Sequence, residues 1–124
     1  MTASPYFITF TCVDWLPLFE ITHNYDSVYK WFEILKEKYQ AHIVAYVIMP
    51  NHFHAVLHFQ QEGFNLNSIV ANGKRFIAYE IINRLETANN KTVLEKLSNM
   101  VTEREKKRGN CIKYLKIHLM QKQS

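Results

Sequence analysis

The sequence predicts an α+β sandwich, an antiparallel sheet with helices packed on one face. Two observations carry this expectation. Runs rich in aromatic and β-branched residues alternate with a period of two. Between them, apolar residues recur at steps of three and four, the spacing of a helix face. The runs follow the order strand, helix, strand, strand, helix, helix, with no repeat and no linker, so residues 1–124 read as one domain.

Each element has its own justification. "PYFITFTCV" sets Phe7, Thr9 and Thr11 against Ile8, Phe10 and Cys12 and reads as the first strand. Pro17, in "DWLPLFE", ends that pattern. From Asn24 the period changes: Val28, Trp31, Phe32, Leu35 and Tyr39 share one helix face, and Lys30, Glu37 and Lys38 lie off it. "AHIVAYVIM" reads as a second strand, its apolar run too continuous for a half-exposed one. Pro50-Asn51 is a turn signal, which makes "HFHAVLHF" a third strand and hairpin partner of the second. "QEGFN" is a loop, and Leu66, Ile69, Val70, Gly73, Ile77 and Ile81 mark a long amphipathic helix. Gly73 costs that helix about 1 kcal/mol relative to Ala, so a close approach to the sheet or to a ligand is expected there. Thr92 and Glu95 form a capping-box pair ahead of a further helix carrying Leu94, Leu97 and Val101. "CIKYLKIHLMQKQS" reads as one more short helix. The order is close to a ferredoxin-like plan whose last strand is missing or displaced.

Composition narrows the function classes. With 48% hydrophobic and 14% aromatic residues, the chain is neither disordered nor low-complexity. No apolar run is long enough to cross a bilayer and the N-terminus is not signal-like, so no membrane partner and a cytoplasmic location are expected. Cys12 and Cys111, the only cysteines, cannot build a cysteine zinc site, and no disulfide is required. The net charge of +4 permits an anionic partner without demanding one. "REKKRG", Arg104 to Gly109, and "GKR", Gly73 to Arg75, are basic steps whose preferred reading, on composition alone, is a solvated helix surface.

The unusual feature is "AYVIMPNHFHAVLHF". His52, His54 and His58 are spaced two and four apart, which on a strand puts all three on one face and Phe53, Ala55, Leu57 and Phe59 on the other. With helices covering the phenylalanine face, the histidines fall on the open one. Two imidazoles two apart on a strand can hold one divalent cation from the same side. A catalytic site usually needs a third protein group as well.

"YVIMPNHFHAVLHF" closely resembles the signature of the single-tyrosine transposases, the IS200-like family that includes the REP-associated tyrosine transposases. The matching residues are Tyr46, Val47, Met49, Pro50, Asn51, His52 and His54, with hydrophobic Phe53 between the histidines as in the His-hydrophobic-His element of the HUH endonucleases. "YFITFTCVDWLPLF", "KRFIAYEIINRL" and "LEKLSNMVTEREKKRG" extend the likeness from about Tyr6 to Gly109. The resemblance implies His52 and His54 as ligands of Mg²⁺ or Mn²⁺, single-stranded or hairpin DNA as substrate, and a homodimer. It implies strand nicking and rejoining through a tyrosine, with a 5′-phosphotyrosine link and a free 3′-hydroxyl. Lys74 and Arg75 become phosphate contacts on this view, or else a solvated helix turn.

After about residue 109 the likeness fades. The family's nucleophile sits on a C-terminal helix with a further metal ligand four residues on. Two readings compete here. In one, Tyr114 is the nucleophile and His118, four residues later, the third ligand. In the other, the tail is out of frame, because codons permitted for it spell a family-like stretch when shifted, and the chain is a truncated, inactive copy. The rival functions are a binder of DNA hairpins that does not cut, and an unrelated metal-dependent phosphoesterase.

Overall fold

The computed structural model describes residues 5–60, 63–100 and 120–123. Strand β1 (Tyr6–Cys12) leads through a 3₁₀ turn (Val13–Trp15) into a short helix α1 (Leu18–Thr22) and then α2 (Tyr25–Tyr39). Strands β2 (Ala41–Met49) and β3 (His52–Phe59) form a hairpin, followed by α3 (Leu66–Thr87), α4 (Lys91–Asn99) and β4 (Met120–Gln123). The fold is mixed α+β. Its sheet runs β2-β3-β1-β4, with every neighbouring pair antiparallel.

The helix stripes and the sheet alternation meet in one core. Ile8, Phe10 and Cys12 of β1 and Phe53, Ala55, Leu57 and Phe59 of β3 are all buried. Val28, Trp31, Phe32 and Leu35 of α2 and Ile69, Val70, Ile77 and Ile81 of α3 cover them. Rings of Phe10, Trp31 and Phe53 pack with centroids 4.6–6.3 Å apart. Arg84 ties α3 to α2 by donating to the Asp26 carboxylate at 2.7 Å and to the His23 carbonyl at 2.8 Å.

Several expectations are corrected. Strand β2 is not enclosed: Val44, Tyr46, Val47 and Met49 are 60%, 49%, 48% and 43% exposed. Among the described residues the strand pairs only with β3, and the helices cover one face, so its apolar run spans a covered face and an open one. The pairing is also irregular between Ile43 and Ala45. The close approach at Gly73 is to the indole of Trp31 on α2 rather than to the sheet. The cap of α4 is Asn90, whose side chain accepts from the Val93 amide, rather than Thr92 with Glu95. Asn65 caps α3 in the same way through Ser68. Pro17 is followed by α1, whose Leu18 and Phe19 enter the core. Finally, Met120–Gln123 form a strand against β1 instead of helix, so a fourth strand is present. Val101 and residues 110–119 lie outside the described residues.

A candidate metal centre on the open sheet face

Register places the histidines. On the face away from the helices, Thr11, His52 and Met49 form one cross-strand row, and Thr9, His54 and Val47 the next. Strand β3 lies between β1 and β2, so both histidines project from an interior strand of the sheet. Phe53 between them is fully buried. The alternation that sends Phe53 into the core therefore sends His52 and His54 outward together. Their rings are 4.9 Å apart, centroid to centroid, at 78° to each other.

Each ring is held through the same atom. His54 Nδ1 is 2.9 Å from the Thr9 hydroxyl, and His52 Nδ1 is 2.7 Å from Asn51 Oδ1. Asn51 Nδ2 in turn donates to the Trp15 carbonyl at 3.4 Å. The Trp15 indole stands edge-on to His52 at 5.7 Å. Burial, and then the neighbouring His54, hold the His52 imidazole below its usual range. At neutral pH His52 is thus uncharged, the form that binds metal. Neither Nε2 has a hydrogen-bond partner among the described residues. The donor set therefore fits a divalent cation as far as it goes: two imidazoles, each held through Nδ1, whose Nε2 atoms meet no partner among the described residues. Among the described residues no third His, Cys, Asp or Glu joins them.

The remaining sequence candidates are placed as follows. His58 shares the open face but lies four residues further, roughly 13 Å along the strand, where it pairs with His42. Lys74 and Arg75 sit on α3, in the helix layer behind the sheet, and are not brought to the histidines. Arg75 donates to Asn72 of its own helix at 3.2 Å. Tyr114 and His118 lie outside the described residues. Cys12 is buried, which pushes its thiol up to about 12 and removes it as a ligand at neutral pH.

Sequence reasoning missed Thr9, Trp15 and His42. Thr9 was within reach, because it has the parity of the exposed side of β1. Thr11, one row on, is buried, and its hydroxyl has no partner among the described residues. Trp15 was not within reach, since its contact depends on two consecutive residues, Asp14 and Trp15, with φ of 50° and 58°. No family model, curated protein or solved structure matches the chain.

Proposed function

We propose that this chain is a HUH-type, single-tyrosine transposase domain that binds single-stranded or hairpin DNA. The observation that carries this reading is the pair His52 and His54, side by side on the open face with neither Nε2 partnered among the described residues. The motif around them, "PNHFH", is the part of the sequence that resembles the family most closely. The sheet order supports the finer assignment to a ferredoxin-like fold, since β1 and β2 are separated by β3 in a split βαβ unit.

On this reading His52 and His54 hold Mg²⁺ or Mn²⁺. The ion supplies Lewis acidity at a phosphoryl oxygen. The chain's own contribution is to hold two imidazoles side by side on an interior strand, on the sheet face away from the helices. In the family's reaction a tyrosine hydroxyl loses its proton and attacks phosphorus. The P–O3′ bond breaks, leaving a 5′-phosphotyrosine and a free 3′-hydroxyl. Tyr114 is the residue assigned to that attack and His118 the third ligand, with Lys74 and Arg75 as more distant phosphate contacts. A second reading is a copy that binds hairpins without cutting; it rests on the fading of the family likeness after about residue 109, where the nucleophile belongs. An unrelated phosphoesterase stands behind both, because nothing beside the histidines selects a small ester over a strand.

The exposed apolar edge of β2 supports a homodimer formed by strand pairing. No helix among the described residues is long and apolar enough to cross a membrane, and the cytoplasm is the proposed site of action on DNA.

The test is to incubate labelled hairpin, linear single-stranded and duplex oligonucleotides with Mn²⁺ and separate the products on native and denaturing gels. Hairpin binding that weakens with salt, with little or no cleavage, is the expected result. A covalent adduct lost in Tyr114→Phe would establish Tyr114 as nucleophile and remove the binder reading. No preference for hairpin over duplex, together with Mn²⁺ binding unaffected by His52→Ala and His54→Ala, would overturn the proposal.

A further inference from the structure

The hydrogen bonds around His52 decide more than where the ring sits. A neutral imidazole has one proton and one lone pair, and only the nitrogen bearing the lone pair can bind a cation. Which nitrogen that is depends on the partner of the other. At His52 the partner of Nδ1 is Asn51 Oδ1 at 2.7 Å. An amide oxygen can only accept, so Nδ1 must carry the proton. The amide's own orientation is also determined. Its other end faces the Trp15 carbonyl at 3.4 Å, and a carbonyl can only accept, so nitrogen must face Trp15 and oxygen must face His52.

We propose that Asn51 is a positioning residue for His52: anchored by the Trp15 carbonyl, its amide oxygen fixes the ring proton on Nδ1 and leaves the lone pair on Nε2. The consequence for metal rests on the function proposed above, whereas the proton assignment does not.

The rest of the turn is built around this relay. Asp14 and Trp15 both adopt the left-handed backbone region, at φ 50° and 58°, which is costly for residues with a Cβ. That turn brings the Trp15 carbonyl to Asn51 and the indole edge to His52. Two backbone bonds clamp the hairpin turn against the same loop: Cys12 N–H donates to the Asn51 carbonyl at 2.9 Å and Phe19 N–H to the Pro50 carbonyl at 3.0 Å. The backbone of Asn51 is thus fixed independently of its side chain. Thr9 differs in kind. Its hydroxyl can donate or accept, so it holds the His54 ring without choosing the tautomer. The selection therefore belongs to Asn51 and acts on His52.

The experiment uses the full chain without metal at about pH 8, above the ordinary imidazole range near 6.5. Long-range ¹H–¹⁵N correlation spectra report which ring nitrogen carries the proton. Wild type is expected to show His52 protonated on Nδ1. In Asn51→Leu, similar in size but with no acceptor, the proton moves wholly or partly to Nε2. In Asn51→Asp, which keeps an acceptor, it returns to Nδ1. Thr9→Val leaves His52 unchanged. The Cys12 amide signal shows whether the turn survives each substitution. Mn²⁺ titrated into the same samples should bind about 10- to 100-fold more weakly to the Leu variant and recover in the Asp variant. A wild-type His52 protonated on Nε2, or an unchanged tautomer in Asn51→Leu, overturns the proposal. The expected tautomers without Mn²⁺ binding in any sample would uphold Asn51's role and overturn the metal reading alone.

Discussion

Gly73→Ala is the perturbation whose outcome follows most directly from the packing. On an exposed helix it would stabilise by about 1 kcal/mol. Here a Cβ at Gly73 would overlap Trp31 Cε2 and lie 2.5 Å from Cζ2 and 2.7 Å from Nε1. Carbon atoms pack comfortably at about 3.5–4.0 Å, so the indole must retreat by roughly 1 Å. It has little room to do so. Trp31 is 3% exposed and rests on Phe10, Phe32 and Phe53 with centroids 5.2, 6.1 and 6.3 Å away. Overpacking of this kind costs about 1–3 kcal/mol. Taking the upper half of that range for a rigid ring and subtracting the helix gain leaves a net loss of about 1–2 kcal/mol. That corresponds to a fall in Tm of roughly 4–8 °C. Urea and thermal unfolding followed by circular dichroism measure it. In a Trp31→Leu background the overlap disappears, and the same substitution should become neutral or stabilising, a coupling that a double-mutant cycle isolates. A Gly73→Ala protein as stable as wild type with Trp31 present would refute the argument. The outcome also bears on the candidate site, because Trp31 packs on Phe53, the residue between His52 and His54.

Two further outcomes are expected. Arg84 holds the Asp26 carboxyl below the usual carboxylate range. A depressed folded-state value means the contribution is complete above the unfolded value of about 3.9 and is lost as pH falls through the folded one. Asp26→Asn should therefore reduce the loss of stability between pH 7 and pH 3. The difference should be modest, because both side chains are partly exposed, and smaller still in high salt. Equal pH dependence in the two proteins, measured by urea midpoints, would count against the pair. Separately, the proposed pairing through the open edge of β2 predicts a dimer for wild type and a monomer for Val44→Lys in light scattering. Wild-type protein that is monomeric at micromolar concentration would remove the edge from consideration.

What the sequence by itself determined is what depends on local geometry. The two-residue period of "HFHAVLHF" required Phe53 and Leu57 on one side and His52, His54 and His58 on the other, whatever the rest of the chain did. The stripes Val28–Tyr39 and Leu66–Ile81 were helical for the same reason, since their spacing matches a single turn. Tertiary structure alone decided the matters that depend on which segments meet. Strand β2 is as apolar as an enclosed strand, and only its place at the edge exposes it. Gly73 announced a close approach, but its partner, Trp31, is 42 residues away in sequence and is set by how α2 crosses α3. The four residues Met120–Gln123 are too few to show a period, and their strand exists because β1 had an unpaired edge. The histidine pair divides along the same line. Its face was legible from alternation, whereas the hold on the two rings depends on Thr9, Asn51 and the carbonyl of Trp15, brought together from β1, a tight turn and a hairpin. Periodicity specifies the direction of a side chain, but a hydrogen bond specifies a distance, and distances between segments remote in sequence are fixed only when the sheet and core assemble.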